Sequence, residues 1–198
     1  MDLIHEAMDE IEKKTCVRFQ RLKSDHGVKN FVHFTATNPL GGCWSSVGMD
    51  TRRSQVMNLQ KPECWDKGVI LHELVHNIGF YHEHQRPDRD NYIDVLYRNV
   101  RPDIEAHQFS KFPPHKVVDT GIPYDLDSIM HYDTHAFGIV DETGHPLPTI
   151  LQKPPNQAQM ILPIWARPYL SPLDAAEINH IYAGECRKRA DLEAKGLL

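Results

Sequence analysis

Three histidines and a glutamate between His72 and His84 have the types and spacing to hold a metal ion and activate water. The stretch reads HELVHNIGFYHEH. His72 and His76 are four residues apart, so on a helix they share one face, one turn apart, and both imidazoles can reach a single ion. Glu73 follows the first of them, where its carboxylate can reach a water at the metal without binding the metal itself. Gly79, three residues after His76, can take the positive φ that ends a helix and turns the chain. That turn brings His82 back as a third ligand. Three nitrogen ligands with one position left open is the layout of a catalytic zinc site, one ion per chain, with Glu73 as general base.

H-E-x-x-H alone arises by chance on amphipathic helices carrying solvated or core histidines. The glycine and the third histidine at fixed offsets make coincidence a poor account. The full string is the metzincin form of the zinc protease motif, which is accompanied by a methionine-containing turn downstream. Ser128-Ile129-Met130-His131-Tyr132 supplies one.

Composition bounds the rest. A chain of 198 residues holds one sizeable core, or two small lobes around a cleft. Its net charge of −5 gives no reason to expect nucleic acid or an anionic membrane as partner. No apolar run approaches the roughly 20 residues that span a bilayer, so no membrane insertion by this chain is expected. Of the thirteen histidines, His5, His26, His33, His107, His115, His145 and His180 lack ligand spacing and read as surface or satisfied side chains. Cys16, Cys43, Cys64 and Cys186 form no C-x-x-C pair, and an even number of separated cysteines suits two disulfides in an oxidising compartment. The sequence alone leaves all three pairings open.

The wider flanks, HELVHNIGFYHEHQRPDRDNY from His72 to Tyr92 and SIMHYD from Ser128 to Asp133, closely resemble the astacin family of secreted zinc endopeptidases. Glutamate after the third histidine (Glu83), the charged run from Arg86 to Asp90, and the tyrosine of the methionine turn (Tyr132) carry the likeness, which extends from about Ile11 to Cys186. The resemblance implies an α+β, two-lobed metzincin catalytic domain over residues 1–186. Its N-terminal lobe would have a twisted β-sheet and the zinc helix, its C-terminal lobe would be irregular and end in a helix, and a charged tail would follow at 187–198. It implies Cys16–Cys186 and Cys43–Cys64 disulfides. It implies that Tyr132 ligates zinc at rest and swings away to bond the reaction intermediate. Met130 would form an apolar floor under the metal, and Gly79 and Glu83 would support the site. Protein or peptide substrates, secretion and a propeptide in the precursor follow from the same likeness. In the family a freed N-terminus is buried beside the glutamate matching Glu83. The family's catalytic domain opens with a strand before the first helix, a strand this sequence lacks, and no basic start and apolar stretch opens the chain, so a processed or trimmed piece of a longer precursor is expected. A catalytically inactive, zinc-containing binding or scaffold protein is the alternative; an intact Glu73 and Tyr132 argue against it.

The elements that must position these groups follow from patterning. Leu3, Ile4, Ala7, Met8 and Ile11 recur at helical spacing, which predicts a helix over 3–14. Residues 16–22 and 28–35 alternate and predict strands joined by a turn at Ser24-Asp25-His26-Gly27, with shorter extended runs at 44–47 and 55–59. Pro62 is expected to start the metal-binding helix, ending near Gly79. Frequent prolines between 101 and 172 predict irregular structure. A last helix is expected to be capped by Ser171, with Leu173, Ala176, Ile178, Ile181 and Tyr182 facing inward. The charged cluster Glu83, Arg86, Asp88, Arg89 and Asp90 is read as internal ion pairs holding the loop of the third ligand.

Overall fold

The computed structural model describes residues 2–22, 27–104 and 106–197. The turn expected at 24–26, including His26, lies outside the described residues. Helix α1 (Leu3–Lys14) is capped by the Asp2 side chain and buries Ala7 and Ile11. Strand β1 (Val32–Thr35) runs parallel to β3 (Gln55–Leu59). Strand β2 (Cys43–Ser45) pairs antiparallel with the other side of β3, giving the order β1-β3-β2. Helix α2 (Lys67–Ile78) packs beneath this sheet and against α1. Its residues from Ile70 to His76 are all buried, so it is a core helix on nearly every side.

Expectations for this part of the chain fail at several points: the extended run expected at 44–47 is a strand over Cys43–Ser45, and three others fail for identifiable reasons. Residues 16–22 form no strand. The Cys16 N–H donates to Asn179 Oδ1 (3.0 Å) and the Phe19 N–H to Glu12 Oε1 (2.7 Å), so side chains of neighbouring helices take the ladder donors. β1 starts at Val32 rather than 28, because its register pairs Val32 with Gln55, the first residue of β3. Pro62 does not open α2. Asp66 is the cap, its carboxylate accepting from Gly68 N (2.8 Å) and Val69 N (3.1 Å). Gly68 suits that first turn because a Cβ there would lie 2.1 Å from the Ile164 carbonyl oxygen.

The C-terminal half is mostly irregular, with short 3₁₀ turns and one antiparallel pair, β4 (Ile93–Val95) with β5 (Ile150–Gln152). It has its own small core of Ile93, Phe109, Ile150 and Ile161, separate from the larger one under α2, so the chain has two lobes. Helix α3 (Pro172–Ile181) opens with a full capping box between Ser171 and Asp174, and α4 (Ala183–Ala194) follows at once and runs into the charged tail. The inward face of α3 differs from expectation. Asp174, Ala175 and Ile178 are buried while Ala176 and Ile181 are exposed, because the polar Asp174 is itself turned inward.

Two disulfides tie the lobes' ends and edges, Cys43–Cys64 beside the sheet and Cys16–Cys186 between the segment after α1 and α4. The second closes a separation of 170 residues, a loop that constrains the unfolded chain by about 5 kcal/mol in the chain-entropy view. Replacing both Cys16 and Cys186 by Ser is expected to lower unfolding stability by an amount of that order. Replacing Cys43 and Cys64, 21 residues apart, should cost less. Denaturant midpoints of the two double variants test the ranking.

Candidate metal centre

Helix α2 presents His72 and His76 one turn apart, and Gly79, at φ 121°, ends it. The Gly79 N–H returns to His76 O (2.8 Å) and the Phe80 N–H to Val75 O (3.3 Å), which bends the chain so that His82 faces the helix. One ligand atom from each of His72, His76 and His82 lies within 4.8 Å of the others.

The hydrogen bonds on the far side of each ring show which nitrogens converge. His72 Nδ1 lies 2.8 Å from the Ile129 carbonyl and His76 Nδ1 2.7 Å from the Phe80 carbonyl. His82 Nδ1 lies 3.3 Å from Gln85 Oε1. Gln85 presents oxygen there because its Nε2 donates to the His107 and Ser110 carbonyls. All three acceptors are oxygens, so each Nδ1 carries the proton and each Nε2 offers a lone pair. His76 Nε2 and His82 Nε2 stand 3.2 Å apart. Two lone pairs at that distance repel without a cation between them. With one they fit, since tetrahedral ligands at Zn–N of about 2.0–2.1 Å lie roughly 3.3 Å from one another. Burial, with like-charge repulsion among the rings, holds the pKa of His72 and His82 well below the usual imidazole value, and burial lowers that of His76. The rings are therefore neutral, as ligands must be.

Glu73 is buried, and its Oε2 has no hydrogen-bond partner. Burial without a partner raises its pKa to about 8 in the metal-free protein. An orphaned buried carboxylate on the residue after the first ligand, His72, together with the lone pairs of three grouped imidazoles, fits a divalent cation. Tyr132 is also partly buried here. Its ring lies 4.5 Å from that of His82 and stacks on His84 at 4.0 Å, and its hydroxyl donates to Gln108 Oε1 (3.1 Å). Burial and then the Glu73 charge raise the phenol's pKa, which places these two groups in one electrostatic environment.

The methionine turn is held from both sides. Asp174 Oδ1 accepts from Ser128 Oγ (2.6 Å), and its Oδ2 from the Ile129 N–H (3.0 Å). From the other side the buried Arg167 donates to the Ser128 carbonyl and to the His131 carbonyl (2.8 Å). The turn passes this order on. Ile129 O takes His72, and Met130 O accepts from the Glu83 N–H (3.0 Å). Met130 itself is buried in the larger core. The charged run is internal only in part: Glu83 and Arg89 are buried, while Asp90 is exposed and pairs with Arg89 and Lys111 at the surface. Arg86 donates to Glu83 Oε1 (3.0 Å) and to both oxygens of Asp88, and Arg89 to the His84 and Phe109 carbonyls. Glu83 lines a cavity of about 410 Å³ shared with Phe80, Phe112, Val118 and Glu177. Burial outweighs the Arg86 charge and raises its pKa to about 8.

Sequence reasoning missed Gln85, His84, His131, Gln108 and Arg167. Gln85, His84 and Arg167 bond distant backbone, and Gln108 and His131 bond the side chains of Tyr132 and Tyr124, contacts that leave no periodic signal. Asp174 was legible as part of a cap, but not as the acceptor for the methionine turn. His5, His33, His107, His115, His145 and His180 are exposed and belong to no metal-ligand group among the described residues.

Comparison with known proteins identifies the family. The family model for the astacin peptidases matches residues 1–183. Zinc metalloproteinase nas-14 of Caenorhabditis elegans is 38% identical over 188 residues, covering 93% of this chain and 34% of that protein. Protein SpAN of Strongylocentrotus purpuratus is 38% identical over 188 residues, covering 93% of this chain and 28% of its own length. The chain thus spans about a third of the length of these relatives. High choriolytic enzyme 1, a hatching enzyme zinc-protease from Oryzias latipes, shares the fold at a TM-score of 0.76 and 32% identity, over 91% of this chain and 81% of that one. A family match over nearly the whole chain, on a structure whose three histidines converge at the end of α2, shows that this chain belongs to the astacin family.

Proposed function

We propose that this domain is a secreted zinc endopeptidase that hydrolyses peptide bonds of protein substrates. The observation that carries the reading is the pairing of three convergent Nε2 lone pairs with Glu73, a buried carboxylate that has an unpartnered oxygen. His72, His76 and His82 would hold the ion; when bound, zinc supplies a Lewis acid at the scissile carbonyl and acidifies water. Glu73 takes the proton of the attacking water and delivers it to the leaving amine. The Tyr132 hydroxyl donates to the oxygen that becomes negative as the carbonyl is attacked. Strand β2 is at the edge of its sheet, and the loop after it is tied to α2 by the Gly48 N–H on His76 O (3.0 Å). An extended substrate can therefore add to the free edge of β2 and pass the metal.

The cavity beside Glu83 supports a propeptide-controlled precursor. Its carboxylate sits at the wall of an otherwise largely apolar space, where a processed N-terminal amine would restore the charge that burial opposes. Two disulfides support an oxidising, extracellular destination. No helix among the described residues is long and apolar enough to cross a membrane.

The test is cleavage of an unfolded protein by the zinc-loaded, N-terminally processed form. Addition of a zinc chelator is expected to abolish cleavage, and restored zinc to recover it. A processed, zinc-loaded protein that leaves every offered chain intact would instead favour a binding role.

A further inference from the structure

We propose that Gln108 is a positioning residue for Tyr132. It holds the phenol twice. Its side-chain Oε1 takes the Tyr132 hydroxyl hydrogen at 3.1 Å. Its backbone oxygen accepts from His84 Nε2 at 2.8 Å, which fixes the imidazole on which the Tyr132 ring stacks, 4.0 Å between centroids and 27° between planes.

The platform under Gln108 is firmly built. It lies in the 3₁₀ turn Ala106–Phe109, whose Phe109 side chain is fully buried in the smaller core. The Phe109 carbonyl accepts from Arg89 (2.6 Å) and from the Tyr97 hydroxyl (3.1 Å). On either side, the His107 and Ser110 carbonyls accept from Gln85 Nε2 at 3.0 and 3.3 Å, while Gln85 Oε1 orients His82. One short segment therefore sets both the third metal ligand, through Gln85, and Tyr132, through Gln108.

The chemistry suits an amide. A phenol has one hydrogen to donate, so Tyr132 cannot serve Gln108 and a developing oxyanion together. The hydroxyl must be off Gln108 while it serves the oxyanion, and Gln108 holds it when it serves neither the oxyanion nor the ion that the family resemblance assigns it at rest. A neutral acceptor releases it more readily than a carboxylate would, since bonds to charged groups are about twice as strong. The amide can also offer its Nε2–H to the oxygen once the hydrogen has turned away.

The proposal rests on the oxyanion role of Tyr132 given above, and a double-mutant cycle separates the two. Gln108→Met keeps length and loses the acceptor. It is expected to lower kcat roughly ten- to hundredfold, as misplacement of a catalytic group does, with KM within about twofold. Gln108→Glu restores an acceptor oxygen and is expected to recover part of that loss. In a Tyr132→Phe background, Gln108→Met should have no further effect. Thermal unfolding of the four metal-free proteins gives the second readout. Each single change should lower the melting temperature, and the double should fall by less than their sum. Equal kcat for Gln108→Met and the wild type, or full additivity in both readouts, would overturn the proposal. A kinetically silent Tyr132→Phe would remove the oxyanion role and the kinetic part of this proposal with it. Loss of activity in Gln108→Met alone would overturn only the claim that Gln108 acts through Tyr132, if that loss persisted undiminished in the Tyr132→Phe background.

Discussion

Glu73→Gln is expected to cut peptide hydrolysis by about 10²–10⁴-fold or more while leaving zinc content near one ion per chain. The change preserves shape and volume and removes only the capacity to take a proton. The ion stays because its ligands are the three imidazoles, whose Nε2 atoms are set by Nδ1 bonds to Ile129 O, Phe80 O and Gln85 Oε1, none of which involves Glu73. Proton release gives an independent measurement. In the metal-free protein burial raises the Glu73 pKa to about 8, so at pH 7 the group is mostly protonated. A divalent cation beside it favours the carboxylate, so zinc binding at pH 7 should expel close to one proton from Glu73. The neighbouring histidines, already neutral through depressed pKa values, should expel few. Calorimetric titration in buffers of different ionisation enthalpy counts those protons, and Glu73→Gln should release about one fewer. The sign also bears on stability. The folded-state pKa lies above the unfolded one, so between about pH 4.5 and 8 this carboxyl increasingly opposes folding of the metal-free protein as pH rises. Glu73→Gln should remove that slope. Unchanged hydrolysis in the variant would leave Glu73 without its assigned role.

How much of this was legible in the sequence depended on whether the cause was local. The ends of α1 and the span of β3 follow from apolar periodicity, and the end of α2 from one glycine, so these were readable. The ligand triad was readable because i, i+4 spacing on a helix is geometry. What failed was decided by partners far along the chain. Residues 16–22 have a strand's alternation, but Asn179 and Glu12 take the N–H groups a ladder would need. The inward face of α3 was drawn from apolar residues alone. The observed stripe of Ser171, Asp174, Ala175 and Ile178 has the same helical period but includes a buried acid, because the methionine turn needs that acceptor. Gln85, Gln108 and Arg167 carry no pattern, and their respective bonds to the His107 carbonyl, the Tyr132 hydroxyl and the Ser128 carbonyl span 22, 24 and 39 residues. The sequence thus exposed the atoms that meet the metal and hid most of those that aim them.

His76→Ala should have the largest effect of any single ligand change. It is expected to reduce bound zinc from about one ion per chain to near none under dilute conditions, with hydrolysis falling to background. Two consequences combine. The site drops from three nitrogen ligands to two, below what a zinc site of this open kind requires. The lost ring also frees the Phe80 carbonyl from its 2.7 Å bond, and Phe80 lies in the bend that carries His82 into place. The remaining pair, His72 and His82, would therefore be both too few and less well aimed. His82→Ala should be somewhat milder on the scaffold, since its Nδ1 contact is a longer one, 3.3 Å, to a side chain that keeps two other bonds. Metal analysis after dialysis, with circular dichroism to verify the fold, decides the matter. Equal zinc in His76→Ala and the wild type would remove His76 from the ligand set. Acidification of the wild type is a further check on the same groups. Burial depresses the ligand pKa values below the ordinary 6.5, so protons should begin to displace zinc only at pH values below that point. Zinc release already underway above pH 6.5 would mean that the imidazoles are not the buried, neutral ligands this geometry describes.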